Sequence, residues 1–161
     1  MAELFHIKTI SGPVLEAVRA ATLNKLHAVV CAGIVHEVGS TAIPGTIGKQ
    51  DLDFLVLAPK GQFLLLRERL DSVFARNDQQ LTNAHYQGYL VESNLDVAIQ
   101  LTVAGSQFDT FLAFKTRLLA NPALVRDYNQ LKTQFDGQPM DLYRHAKRRF
   151  IEQTLGVGQA P

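Results

Sequence analysis

The chain has 161 residues, 47% of them hydrophobic and 19% charged, with a formal net charge of +1. That balance predicts one globular domain with a sizeable core, because a domain of about 150 residues hides roughly 68–70% of its unfolded surface. Near-neutrality argues against an extensive nucleic-acid surface, and no run approaches the about 20 apolar residues of a membrane span.

Met1 to Thr9 reads as a short strand or arm anchored by Leu4, Phe5 and Ile7. No charged segment followed by an apolar run opens the chain, so no signal peptide is expected and the cytoplasm is the default. Ser11 has the chemistry of a helix N-cap with Pro13 in the first turn, and Val14, Leu15, Val18, Thr22 and Leu26 recur at helical spacing to His27. Ala28 to Val38 is a continuous apolar run, which predicts a central strand. The single cysteine, Cys31, lies inside that run and reads as a buried core thiol in a reducing compartment. Asp51 to Leu57 predicts a second strand, and Phe63, Leu66, Leu70, Val73 and Phe74 predict a helix over about 62–76. After a polar loop over 77–85, Tyr86 to Val91 and Leu95 to Val103 read as a hairpin. Ser106 with Asp109 three residues on predicts a helix start of the capping-box kind. Asn121-Pro122 caps a further helix to Phe135, and a last helix runs to Leu155 and stops at Gly156. The expected domain spans 1–161: a core over about 5–103, C-terminal helices over about 106–155, and a frayed tail over 156–161. Strands in the middle and helices at the end predict an α+β fold.

The stretch from His36 to Leu57 concentrates the chemistry. Side chains alternate along a strand, so Asp51 and Asp53 share a face. Two carboxylates on one face repel and are costly to desolvate, and a divalent cation between them removes that cost. Mg²⁺ or Mn²⁺ suits such oxygen ligands and is commonly completed by substrate phosphates. Gly39 and Ser40 offer backbone N–H groups and a hydroxyl with little bulk, which suits a phosphate. A solvated strand start is the plain alternative for the two aspartates. Gly48-Lys49 fails as a P-loop, because Ile43 replaces the first glycine and Gln50 the Ser or Thr; Lys49 can still meet a phosphate as a point charge. Arg144, Lys147 and Arg148 share a helix face, either as a solvated face or as a binding face for a triphosphate or an anionic acceptor. His27, His36, His85 and Cys31 have no zinc-ligand spacing. The aromatic residues of the last three helices read as core stripes rather than a base-stacking platform.

Gly-Ser, about ten residues and then Asp-hydrophobic-Asp resembles the signature of the nucleotidyltransferase superfamily, the polymerase-beta-like fold. The longer string His36-Glu37-Val38-Gly39-Ser40-Thr41-Ala42-Ile43-Pro44-Gly45, followed by Lys49 and Asp53, resembles the GrpB family within it. The likeness continues through Ala104-Gly105-Ser106, Leu112-Ala113-Phe114-Lys115, Asn121-Pro122, and Ala146-Lys147 with Phe150-Ile151, and so covers roughly 5–155. It implies a nucleotidyltransferase-like mixed, twisted sheet with helices behind it and a C-terminal helical part. It implies metal-dependent transfer of a nucleoside monophosphate from an NTP to a hydroxyl of a small-molecule or protein acceptor. Asp51, Asp53 and Asp96 would be the catalytic and metal-ligating carboxylates; the alternative for Asp96 is the end of a hairpin strand, with Glu92 as another candidate carboxylate. Gly39, Ser40, Thr41, Lys49 and Lys147 would hold phosphate, while His36, Glu37 and Lys115 would form an acceptor wall. A degenerate, non-catalytic nucleotide-binding or accessory module is the alternative function.

Overall fold

A computed structural model describes residues 1–157. The tail expected beyond Val157 lies outside the described residues. Helix α1 spans Gly12–Val29, with Pro13 in its first turn, while Ser11 holds the N-cap position without a side-chain bond. The helix keeps Ala28 and Val29, a short 3₁₀ turn takes Ala32–Ile34, and strand β1 is left with Val35–Val38. The continuous central strand expected over 28–38 is therefore corrected on two counts: it is split, and its strand lies at the sheet edge. Val29 and Val30 still bury against the main core from the end of the helix. Burial satisfies an apolar run equally as helix or strand, so the run alone left the period open. The turn brings Cys31 to the surface, correcting its reading as a core thiol.

The remaining strands are β2 (Leu52–Ala58), β3 (Ala75–Arg76), β4 (Tyr86–Leu90) and β5 (Val97–Val103). They form a five-stranded mixed sheet in the order β1-β2-β5-β4-β3. β2 and β5 run parallel, and the other pairs are antiparallel. The predicted hairpin is present as β4 and β5, trimmed at its turn. Helix α2 (Phe63–Asp71) stops five residues before Arg76. Arg76 turns back into β3, where its Nε donates to Asp71 Oδ1 at 2.8 Å. Tyr89 O–H, on the adjacent β4, reaches the same carboxylate oxygen at 3.1 Å.

Alternation along β2 sorts the two faces. Leu52, Phe54, Val56 and Ala58 enter the main core with Ile99 and Leu101 of β5, under α1 and α2. Asp53 faces the other way, toward the C-terminal helices α3 (Phe111–Ala120), α4 (Pro122–Phe135) and α5 (Met140–Leu155). These helices pack around Phe114, Leu118 and Tyr128, with Phe150 stacked on Tyr128 at 5.2 Å. α3 begins one turn later than Ser106. The predicted pair closes the preceding turn instead: Ser106 Oγ accepts from Phe108 N–H at 3.3 Å and Asp109 Oδ2 from Gly105 N–H at 3.0 Å. Asn121 caps α4 as expected, accepting from Ala123 N–H at 3.0 Å. The N-terminal arm adds no strand to the sheet. Phe5 is buried against α5, its ring stacked on Tyr143 at 3.7 Å, and its backbone is tied to Gly137 and Gln138 of the α4–α5 turn.

Candidate active site

β1 pairs with β2 so that Val38 lies opposite Asp53, and the chain turns at the next residue. Gly39 adopts φ 76°, ψ −172°, and a Cβ built there would stand 2.5 Å from Asp53 Oδ2. Only glycine allows both that left-handed φ and that close approach. Ser40–Ala42 then forms a 3₁₀ turn, and Thr41 Oγ1 donates to Asp51 C=O at 3.1 Å. Gln50, just before Asp51, takes φ 62°, a sparsely populated region for a non-glycine residue. The tight turn on one strand and the aspartates on the next are thus one packed unit.

The loop between them is held from α4. Asn129 Oδ1 accepts from Ile47 N–H at 3.0 Å, and its Nδ2 donates to Gly45 C=O at 2.8 Å. One turn on, Lys132 is only 1% exposed. Its Nζ donates to Ser40 Oγ and, at 2.6 Å, to Ile47 C=O, and it lies 3.9 Å from the centroid of the Tyr128 ring. Lys132 is the site residue that sequence reasoning missed. Its signal was present: it follows the core residue Tyr128 by four, a position on the buried face of α4.

Charge is concentrated here. Burial, then the neighbouring charge of Asp51, pushes the Asp53 carboxyl up to about 6, against the opposing pull of Lys147, a hydrogen bond from Gln100, and Lys49. Burial, then Lys147, brings Lys132 down to about 7, with Asp51 acting the other way. Lys147 is shifted upward, first by Tyr128 and then, against burial, by Asp53 and Asp51. Asp51, Asp53 and Lys147 therefore influence one another, and Lys132 feels Lys147 and Asp51.

The other expected residues sit further out. Lys49 Nζ lies 3.9 Å from Asp96 Oδ2, and the Asp96 side chain is 70% exposed at the foot of β5. Its backbone C=O accepts from Leu52 N–H at 2.9 Å, which places it at the same end of the sheet as Asp51. Glu37 is held by Arg19, whose Nε donates to it at 2.8 Å, and Lys115 Nζ donates to the Glu37 backbone C=O at 2.8 Å. Those contacts tie α1 and α3 to β1. His36 lies opposite Leu55 on the same pair of strands. Arg144 is engaged at the surface by Glu3 and Asp141, each at 3.2 Å.

The residues present fit a divalent cation of the Mg²⁺ type. Asp51 and Asp53 offer two hard oxygen donors whose mutual repulsion a cation relieves, and Mg²⁺ commonly takes its other ligands from phosphate and water. Among the described residues, no three His, Cys, Asp or Glu side chains converge as a closed protein metal cage.

A mixed sheet that carries a Gly-Ser turn against an acidic strand, with helices on both faces, is the α+β, nucleotidyltransferase-like class that the sequence motif implies. The chain belongs to the GrpB family: the GrpB protein family model matches residues 15–156. The chain is 36% identical over 124 residues to the UPF0157 protein VC_A0354 of Vibrio cholerae serotype O1, covering 76% of this chain and 65% of that relative's length. Among solved structures, conserved protein GrpB from Enterococcus faecalis superposes with a TM-score of 0.66 at 18% identity, over 93% of this chain and 97% of that one. A partial likeness, at a TM-score of 0.45 and 16% identity, is to the H336N Cid1 poly(U) polymerase bound to MgATP, over 78% of this chain and 42% of that one. Among the described residues no helix is long and apolar enough to cross a membrane.

Proposed function

We propose that the protein is a metal-dependent nucleotidyltransferase that moves a nucleoside monophosphate from an NTP to a hydroxyl group. The observation that carries this reading is the convergence of Asp51 and Asp53 with the Gly39-Ser40 turn, Lys132 and Lys147. Gly39, Ser40 and Thr41 receive the outer phosphates, and Lys132 exchanges its bond to Ser40 for one to a phosphate oxygen. Lys147 and Lys49 neutralise the remaining charge. Asp51 and Asp53 hold Mg²⁺ or Mn²⁺, which supplies charge neutralisation and orientation of the phosphates. The acceptor oxygen bonds to the α-phosphorus as the bond to the bridging oxygen breaks. Pyrophosphate leaves with that electron pair. The hydroxyl proton passes to Asp96, the exposed carboxylate at this end of the sheet, and on to solvent. A cytoplasmic location suits these substrates.

Pyrophosphate release tests the reaction, with each of the four common NTPs, Mg²⁺ or Mn²⁺, and a metabolite extract as the source of acceptor. Metal with NTP should also raise the melting temperature, because a ligand of the native state alone stabilises it. Asp53→Asn should abolish that shift while leaving the unliganded protein as stable as before or more so. An unaltered shift in the variant overturns the site.

One observation favours a second reading, a nucleotide-binding module without turnover. The Asp96 carboxylate is exposed and leans toward Lys49, which leaves two carboxylates rather than three beside the Gly39 turn. Metal-dependent NTP binding with no pyrophosphate from any acceptor pool selects the module.

A further inference from the structure

Beside Asp53 and Gly39, the sheet and the C-terminal helices frame a cavity of about 230 Å³. Four rings line it, Tyr86 from β4, Phe111 and Phe114 from α3, and Tyr128 from α4, and Gly39, Asp53 and Lys147 of the phosphate site form its inner wall. An apolar cavity of about 150 Å³ is large enough for benzene, so this one has room for a single substituted ring. Two amides interrupt the aromatic lining. Gln80 reaches in from the 77–85 loop, across Gly88 of β4, where a Cβ would lie 1.9 Å from its Oε1. Its Oε1 already accepts from Tyr86 O–H at 3.1 Å. Gln100 of β5 is 6% exposed, and its Oε1 has no hydrogen-bond partner. The Asp53 carboxylate lines the same cavity and can only accept, so it offers that oxygen no donor. A buried acceptor without a donor is costly, and native proteins rarely leave one unexplained.

We propose that this cavity is the acceptor pocket, and that its ligand is a single-ring compound presenting an O–H or N–H donor to Gln100 Oε1. The pocket shares Gly39, Asp53 and Lys147 with the phosphate site, so a ring held there lies directly beside the place the phosphates take. The ligand class stands on the cavity itself; its role as acceptor rests on the transferase reading.

Phenol and anisole form the probe pair, nearly alike in shape but only one a donor. Wild-type protein should bind phenol about two- to tenfold more tightly than anisole, the range expected for one neutral hydrogen bond. The Gln100 side-chain amide resonance should move with phenol. Gln100→Met, similar in length and without the amide, should bind both probes alike. Equal binding by wild type, binding of neither probe, a preference that survives Gln100→Met, or an unmoved Gln100 resonance overturns the pocket. The wild-type resonance decides if the variant does not fold. Phenol affinity unchanged by saturating Mg²⁺ with each of the four NTPs supports the acceptor role, whereas displacement of phenol by an NTP overturns it. Loss of all NTP binding with the phenol preference intact removes the transferase reading and its acceptor role, and leaves the pocket standing.

Discussion

Lys132 is an amine held in a place that suits it poorly until an anion arrives. Burial, then Lys147, brings it from the ordinary 10.5 to about 7, so between those values the unfolded chain binds the extra proton. Its contribution to stability therefore rises with pH over that window and is fully lost as pH falls below 7. The stability of wild type relative to Lys132→Met should accordingly increase from pH 6.5 to pH 9, as read by urea unfolding at each pH. Triphosphate restores the charge, so calorimetry at pH 8 in buffers of different ionisation enthalpy should show net proton uptake on binding, absent in Lys132→Met. Gly39 is constrained in a different way. Gly39→Ala forces a left-handed φ on an L-residue, at about 1–2 kcal/mol, and drives a methyl group into Asp53 Oδ2. Chemical denaturation should show a loss of at least about 2 kcal/mol, with triphosphate binding weakened beyond detection.

At the scale of elements, α4 has two ends with separable roles. Asn121 caps the helix through the N–H groups of Ala123 and Leu124. Asn129 and Lys132, three residues apart on one face, pin the loop that separates the two site strands. Asn121→Ala should cost about 1 kcal/mol of stability and leave NTP affinity unchanged. Asn129→Ala removes both of its ties to the loop, so it should weaken NTP binding more than it lowers the melting temperature. Equal effects from the two variants, measured by calorimetry and thermal unfolding, would show that the loop needs no pin. The start of α4 was legible as Asn121-Pro122, because a cap is a local hydrogen bond between near neighbours. The pin was not, because Asn129 reaches a backbone 82 and 84 residues away. The same contrast explains the misread helix start at Ser106, where the local bonds formed as expected but closed a turn ahead of α3.

Across the whole molecule, the N-terminal arm fastens the helices that carry Lys132 and Lys147. Phe5 packs with Met140 and Tyr143 in a small core of its own, separate from the sheet. Phe5→Ala should cost about 3–5 kcal/mol, the range for truncating a buried Phe. Thermal unfolding followed by far-UV circular dichroism and tyrosine fluorescence should still give one coincident transition, as one cooperative domain requires. Two separated transitions would make the C-terminal helices a unit of their own. NTP affinity should fall in the same variant, because α4 and α5 supply both lysines.

The α+β class, the β4–β5 hairpin, the α4 cap and the acidic strand behind a Gly-Ser turn were all determined by the sequence alone. Each rests on a local pattern: period-two alternation, turn chemistry, capping, or spacing within one stretch. Tertiary structure alone decided that Ala28 and Val29 stay helical, that β1 is an edge strand, and that Cys31 is exposed, because an apolar run is satisfied by burial in either conformation. It alone decided that Lys132 meets Ser40, 92 residues away, and that Gln100 rather than Asp96 is the buried β5 residue sharing a cavity with Asp53. Parallel pairing of β2 with β5 fixes that last choice: Asp53 stands opposite Ala98, so the inward neighbour on β5 is Gln100, while Asp96 falls at the exposed foot of the strand.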